Sequence, residues 1–207
     1  MAETKAKQDV RMIFKIGAFL AFIMLGYLGL RSYKKSVEKL KINECSNQII
    51  ELVRNINEAY RNDRDYGEFD YKTAAKLKLF PKNMMKEGFN EAVNGYFGGV
   101  DVYYSSSAPE MPKGALEVSF QGVSKMGCMS LMRINLTDLN LIAVGGYSGP
   151  TPAGVLDEIY AEMKQEDIKK ANIYVGKTVM YVADDKVEKN CACKDDVCSV
   201  VWKFRKM

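Results

Sequence analysis

The C-terminal region of the chain contains three closely spaced cysteines, Cys191, Cys193 and Cys198, and two others, Cys45 and Cys128, lie far upstream. Cysteines can ligate a metal, form a redox pair or form structural disulfides. A zinc ribbon needs paired two-residue spacings, and a thioredoxin-type site needs two residues between its cysteines. The sequence has neither spacing, so we predict structural disulfides and no metal site.

Two disulfide arrangements are compatible with this spacing. Cys193 and Cys198 flank a four-residue segment that could form a hairpin turn, and Cys191 could then bond Cys128. A swapped arrangement, in which Cys198 bonds Cys128, fits the spacing equally well. Cys45 is left over on an apolar helical stripe, where a single thiol packs as an ordinary core side chain.

A long apolar segment precedes the cysteines. Residues 16–30 are apolar apart from the hydroxyl of Tyr27, and extension back to Met12 gives the roughly 20 residues that span a bilayer. We therefore predict a transmembrane helix over residues 12–31, after a cytoplasmic leader or tail over residues 1–11. Disulfides persist in oxidising compartments. Together these features predict a single-pass membrane protein with an extracytoplasmic head, periplasmic or at the cell surface, and the lipid bilayer as a partner.

The composition excludes several classes of function. The chain has no histidine, which removes Ser-His and Cys-His catalysis and the histidine-containing zinc sites. Its best carboxylate pairs, at residues 184–185 and 195–196, are adjacent residues that would point to opposite faces of a strand, so we interpret them as turn residues. The net charge of +4 is spread along the sequence. We predict no catalytic residue, no cofactor and no nucleic-acid partner.

One long helix must position the head. Apolar side chains recur at steps of three and four residues over residues 32–62, which predicts an amphipathic continuation of the membrane helix. No proline lies between Met12 and Phe80, so both parts could form one rod. The remaining residues, 63–207, would form a globular head that ends in the disulfide region.

The head alternates short helical and strand patterns, so we predict the α+β class, with the long N-terminal helix packed on an antiparallel β-sheet and short helices inserted. Asp70 is a suitable helix N-cap. The predicted helices cover residues 71–79, 124–134 and 151–170, the predicted strands cover residues 100–104, 116–120, 141–144, 173–183 and 198–204, and residues 145–150 are predicted to form a loop.

Four features occur in a recognisable order. They are the apolar helix that continues into an amphipathic one, residues 56–60 (INEAY) with 65–67 (DYG) and 79–81 (LFP), residues 94–99 (NGYFGG), and residues 118–123 (VSFQGV) followed by Cys128. In this order they resemble the type IV pilin family, most of all the type IVb secretory pilins. Lys78 stands before Leu79 where the family has glycine. The resemblance covers residues 12–144 and the C-terminal cysteines.

The resemblance implies both a fold and a function. It implies a long helix packed on an antiparallel sheet, and a disulfide between Cys128 and one of the C-terminal cysteines. The implied function is structural, with polymerisation through the apolar helix into a type IV pilus or a pilus-like secretion or adhesion fibre. The implied partners are other pilin subunits and the inner-membrane pilus assembly machinery.

The N-terminal segment departs from the family pattern. Family members have a leader that ends in glycine, which makes Gly17 and Ala18 the candidate cleavage site, and they have glutamate at the fifth mature position. Here that position is Phe22, and no acidic residue lies between Met12 and Leu30. The amine of a neighbouring subunit would then lack a charge partner in an apolar filament core, which is costly. We therefore expect a minor or divergent subunit.

The alternative function is a membrane-anchored extracytoplasmic binding or adhesin domain that does not polymerise. Its binding surface would be formed by aromatic side chains near the glycine-rich loops. These are Tyr96, Phe97, Tyr103, Tyr104 and Tyr147.

Overall fold

The computed structural model describes residues 2–63, 65–105, 115–149, 173–175 and 184–206. Within these ranges the side chains of residues 2–16, 18, 105, 173–175, 186 and 196 lie outside the description. The chain forms two compact units, Met1–Leu40 and Lys41–Met207. The predicted helix over residues 151–170 and the greater part of the predicted strand over residues 173–183 fall outside the described residues.

The helix α1 runs from Ala2 to Ala59 without interruption. In the second unit it buries an apolar stripe whose members recur at helical spacing and are completely inaccessible to solvent: Cys45, Ile49, Leu52, Val53 and Ile56. Side chains three and four residues apart share one face of a helix, so this stripe faces the interior as a continuous surface. The predicted amphipathic helix is confirmed, and it ends slightly before the predicted boundary at residue 62.

In the described part of the chain the sheet has five strands in the order β1-β2-β5-β3-β4, and every neighbouring pair is antiparallel. The C-terminal strand β5 lies between β2 and β3, so the end of the chain forms the centre of the sheet. The strand bounds are β1 Val100–Ser105, β2 Ala115–Ser124, β3 Leu141–Ser148, β4 Ile173–Val175 and β5 Val197–Arg205.

The apolar face of the sheet packs in one core with the α1 stripe. Side chains alternate along a strand, so every second residue of β2 and β5 points into this core. Phe120 and Trp202 meet there edge to face, with ring centroids 5.1 Å apart. The other core members from these two strands are Leu116, Val118, Val123, Cys198, Val200 and Phe204. The α+β class with a long helix on an antiparallel sheet is thereby confirmed.

The short helix α2, Tyr71–Lys76, has the predicted N-cap, because the Asp70 carboxylate accepts a hydrogen bond from the backbone N–H of Thr73 at 2.8 Å. The helix ends before the predicted residue 79. Lys78 adopts a left-handed conformation with φ of 56°. The backbone N–H groups of Lys78 and Leu79 bond the carbonyls of Ala75 and Ala74. This is the Schellman arrangement, in which glycine is the preferred left-handed residue.

Replacement of Lys78 by glycine should therefore stabilise the protein. An L-residue with a side chain pays about 1 kcal/mol in the left-handed region, and glycine avoids this cost. We expect Lys78→Gly to raise the free energy of unfolding by about 1 kcal/mol in urea titrations. Lys76→Gly is the matched control, because Lys76 lies within α2, and it should lower stability by a similar amount. Equal destabilisation by both variants would contradict this account.

Three predictions for residues 145–197 are wrong. The predicted loop at 145–150 begins with strand residues, because β3 continues to Ser148 through two glycines that pair with β5. A Cβ atom on Gly146 would lie 2.9 Å from the Asn190 carbonyl oxygen and 3.0 Å from Cys128 Sγ, so glycine is required by close packing. The acidic pair at 184–185 opens the helix α4, Asp184–Asn190, and the predicted hairpin turn is a 3-10 helix, Lys194–Asp196.

Candidate functional site

The structure contains two disulfides, Cys128–Cys191 and Cys193–Cys198. Of the two arrangements that the spacing left open, this is the one in which Cys191 bonds Cys128. The first bond joins residues separated by 63 positions, with their Cα atoms 5.8 Å apart. The second joins residues separated by 5 positions, with their Cα atoms 5.4 Å apart. One bond is therefore a long-range crosslink and the other closes a local loop.

Three elements converge to position these sulfurs. Cys128 lies in α3, Lys125–Leu131, which begins where the Ser124 hydroxyl accepts a hydrogen bond from the Gly127 backbone N–H at 2.9 Å. Cys191 directly follows α4, and the Asn190 side chain there accepts a hydrogen bond from the Gly146 N–H of β3 at 3.0 Å. Cys198 is the second residue of β5.

The four half-cystines form one compact group, which we call the sulfur cluster (Cys128, Cys191, Cys193 and Cys198). The sulfurs of Cys128, Cys193 and Cys198 all lie within 4.8 Å of one another. Cys128, Cys191 and Cys198 are completely buried, whereas Cys193 is only half-buried. Each sulfur is bonded to another sulfur, so none is a thiolate that could ligate a metal in this state.

Cys45 is the free cysteine and is completely buried. Its Sγ lies 3.1 Å from the position that a Cβ atom on Gly95 would occupy, so the thiol is packed directly against the backbone. Burial raises the pKa of the Cys45 thiol to about 12, which keeps it protonated at neutral pH. These observations confirm the prediction that Cys45 packs as a core side chain.

The first unit presents an apolar helical surface. Every large apolar side chain from Phe19 to Leu30 is more than half exposed. We call this the apolar helix surface, and its members are Phe19, Leu20, Phe22, Ile23, Met24, Leu25, Tyr27, Leu28 and Leu30. Exposed apolar surface on this scale marks a site that contacts another protein or a lipid.

The structure describes the side chains of only part of the predicted transmembrane helix, residues 12–31. Among the helices as described, none combines the length and the apolarity that crossing a membrane requires. The candidate cleavage residues Gly17 and Ala18 lie within α1. Membrane insertion and leader cleavage both stay predictions.

The aromatic residues of the alternative binding surface do not form one exposed group. Phe97 is 54% exposed, whereas Tyr96, Tyr103, Tyr104 and Tyr147 are partly buried. The hydroxyl of Tyr103 donates a hydrogen bond to Glu117, and burial raises the pKa of the Tyr147 hydroxyl. Four of the five side chains therefore contribute mainly to packing.

Phe97 belongs to a small surface cluster that the sequence patterns did not indicate. Its ring stacks on that of Phe89 with centroids 6.0 Å apart, and the Lys86 ammonium group lies 4.1 Å from its centroid. Lys86 also forms an ion pair with Glu44 at 3.0 Å. Glu44 is distant in sequence from the other three residues, and no regular spacing relates Lys86, Phe89 and Phe97, so the cluster becomes evident only in the folded chain.

Comparison with known proteins identifies the family. The family described as PilS N terminal matches residues 39–195, which is more than half of the chain. No curated protein matches the sequence.

Solved structures show the same fold at low sequence identity. The chain is similar to TcpA, a type IV pilin from Vibrio cholerae El Tor biotype, with 12% identity and a TM-score of 0.53. It is also similar to the type IVb pilin from Salmonella typhi, with 10% identity and a TM-score of 0.50. Each comparison covers 79% of this chain and 98% of the other. The resemblance drawn from the sequence motifs is thereby confirmed: the chain has the fold of type IV pilins and belongs to the family described as PilS N terminal.

Proposed function

We propose that the chain is a minor or divergent structural subunit of a type IV pilus or a pilus-like secretion or adhesion fibre, and that it assembles through the apolar helix surface. The observation that carries this proposal is the exposure of every large apolar side chain from Phe19 to Leu30. Burial of apolar area contributes about 25 cal/mol per Å², so packing of this surface between subunits would favour polymerisation. Its partners would be other pilin subunits.

A non-catalytic role agrees with the chemistry of the head. The family and the fold are those of structural proteins. The candidate carboxylates at residues 184–185 lie on the surface, where Asp184 forms an ion pair with Arg133 at 2.7 Å. A carboxylate engaged in an exposed ion pair is typical of solvated surface charge.

The pilin family supports a location in an extracellular pilus or in the periplasm, and the two disulfides agree with an oxidising compartment. We further propose that residues 12–31 hold the subunit in the bilayer before assembly, with residues 1–11 in the cytoplasm. The inner-membrane assembly machinery would then extract the subunit. Cleavage between Gly17 and Ala18 would produce the mature N terminus.

The proposal of a minor or divergent subunit is supported by Phe22, which is 79% exposed and which, with cleavage after Gly17, would stand where the family has glutamate. A carboxylate at this position would pair with the amine of a neighbouring subunit. Phe22 offers apolar area but no charge, so a filament of this subunit alone would leave each amine without a partner. A mixed fibre, in which this chain is one component among others, avoids most of that cost.

An assembly experiment tests this function. Leu25 is 68% exposed within the apolar helix surface, and a carboxylate there would have to be desolvated when subunits pack. We expect Leu25→Asp to reduce the amount of this chain in sheared surface fibres by about tenfold or more. A tenfold reduction requires the free energy of subunit association to weaken by only about 1.4 kcal/mol. Immunoblots of sheared fibres and of whole cells would measure the reduction.

Leu77→Asp is the matched control, because Leu77 is an exposed leucine of the second unit. It makes the same chemical change outside the apolar helix surface and should leave the fibre content unchanged. Absence of the wild-type chain from both the fibres and the assembly complex would contradict the proposed function. The binding-domain alternative has less support, because most of its candidate aromatic residues are partly buried.

A further inference from the structure

The sulfur cluster places two disulfides side by side, close enough for their sulfurs to exchange partners. We propose that Cys193–Cys198 is a thiol-exchange site, through which a dithiol reductant opens the buried Cys128–Cys191 crosslink and transfers that crosslink to Cys198. This inference concerns the second unit alone and does not depend on polymerisation. It assigns a chemical role to a disulfide that closes only a local loop.

Access to solvent distinguishes the two bonds. Cys193 is the only half-buried member of the sulfur cluster, and it lies beside the exposed Lys194. Both sulfurs of the Cys128–Cys191 bond belong to completely buried residues. Cys193 is therefore the residue of the sulfur cluster that a thiol in solution reaches most readily in the folded protein, whereas direct attack on Cys128 or Cys191 would require the head to open.

Proximity then provides the internal route. The sulfurs of Cys198 and Cys128 lie within 4.8 Å of each other although they belong to different disulfides. Cys198 is held in β5 and Cys128 in α3, so folding fixes their approach. A thiolate released at Cys198 would therefore lie close to a sulfur of the second bond, and only a local movement would bring the two sulfurs to bonding distance.

The chemistry balances with one equivalent of dithiol. One reductant thiolate attacks Cys193 Sγ and breaks the bond to Cys198, which leaves as a thiolate. The second reductant thiol resolves the mixed disulfide, so the reductant becomes a cyclic disulfide and Cys193 a thiol. The Cys198 thiolate attacks Cys128 Sγ, forms Cys128–Cys198 and releases Cys191 as a thiolate, which takes up a proton. Two electrons have passed from the dithiol to the protein.

Cys45 does not compete in this exchange. Cys45 is the cysteine that is not in a disulfide, and its raised pKa of about 12 leaves a negligible fraction of thiolate at neutral pH. The sulfur of Met132 lies 3.6 Å from Cys191 Sγ. A thioether cannot exchange with a disulfide, so Met132 only packs against the bond.

The exchange would change what the crosslink holds. In the structure the long-range bond ties α3 to the residue that follows α4. After transfer it would tie α3 directly to the central strand β5. The segment from α4 to Cys193 would then be released from covalent constraint, so a reducing thiol could loosen this surface without the loss of the long-range crosslink.

Limited reduction followed by disulfide mapping tests the proposal. The folded full-length protein would be treated with one equivalent of dithiothreitol, quenched with an alkylating reagent at successive times, digested and analysed by mass spectrometry. We expect a species with a Cys128–Cys198 bond and alkylated Cys191 and Cys193. Partly reduced protein that at all times retains Cys128–Cys191, with Cys193 and Cys198 alkylated, would overturn the proposal.

Substituted chains separate exchange from direct reduction. In Cys193→Ser the thiol of Cys198 has no local partner, so without added reductant we expect a mixture of two species. One has the Cys128–Cys191 bond and a free Cys198, and the other has the Cys128–Cys198 bond and a free Cys191. In the double variant Cys193→Ser/Cys198→Ser, we expect dithiothreitol in excess to open Cys128–Cys191 about tenfold more slowly than in the wild type. Cys45→Ala is the control and should follow the wild type. Equal opening rates in the wild type and the double variant would overturn the proposal.

Discussion

Removal of the long-range disulfide by Cys128→Ala/Cys191→Ala should lower the free energy of unfolding by ~4 kcal/mol. The bond joins residues separated by 63 positions, and in the chain-entropy model a crosslink of this length restricts the unfolded chain strongly. Such a loss should lower the melting temperature by on the order of 10 °C for a chain of this size. Thermal and urea unfolding under non-reducing conditions, followed by circular dichroism, would measure both quantities.

The local disulfide provides the matched comparison. Cys193→Ala/Cys198→Ala removes the same number of sulfurs but opens a loop with a separation of only 5. The same model gives a loss of ~2 kcal/mol, about half that of the long-range pair. Losses in the reverse order would show that native packing around the sulfurs, and not restriction of the unfolded chain, dominates the stabilisation.

The elements that could be predicted from the sequence are those specified by local chemistry. The α1 stripe follows from apolar residues at helical spacing, and the Asp70 cap follows from a side chain that bonds its own neighbouring backbone. The motif order indicated the pilin family before any contact was known. In each case the residues that determine the structure are close together in sequence, or their order alone carries the information.

The remaining features depend on contacts between distant residues. Gly145 and Gly146 look like loop residues, yet both lie in β3 and pair with β5. At Gly146 the backbone of Asn190 and the sulfur of Cys128 approach too closely for a side chain. The choice of Cys191 over Cys198 as the partner of Cys128 depends on how α4 is placed beside β3. Spacing alone could not determine either feature, since both require the positions of several elements in the fold.

The turn at residues 94–99 shows how a contact between residues distant in sequence can determine stability. The Asn94 side chain donates a hydrogen bond to the Gln121 carbonyl at 2.7 Å, and the Asn94 backbone N–H bonds the Gly98 carbonyl at 2.9 Å. These bonds hold the turn against an irregularity in β2, where the register with β5 shifts between Phe120 and Val123. Gly98 therefore lies directly over the backbone of β2.

Gly98→Ala should consequently be among the most destabilising single substitutions in the head. An added Cβ atom would lie 1.8 Å from the Gln121 carbonyl oxygen, a backbone atom that cannot rotate away. Relief requires the turn to separate from β2, which would break the Asn94 bond. We expect the free energy of unfolding to fall by about 3 kcal/mol, the upper range for an overpacked site, as measured by urea unfolding.

The neighbouring Gly99 makes this expectation specific. A Cβ atom on Gly99 would come no closer than 3.5 Å to the Gln121 side chain, which is an ordinary van der Waals contact. Gly99→Ala should therefore change stability by less than about 0.5 kcal/mol, as for most surface substitutions. If both variants were as stable as the wild type, the turn would not lie against β2 as described. If both were strongly destabilised, flexibility of the glycine pair, and not the contact of Gly98 with the strand, would be the property that the fold requires.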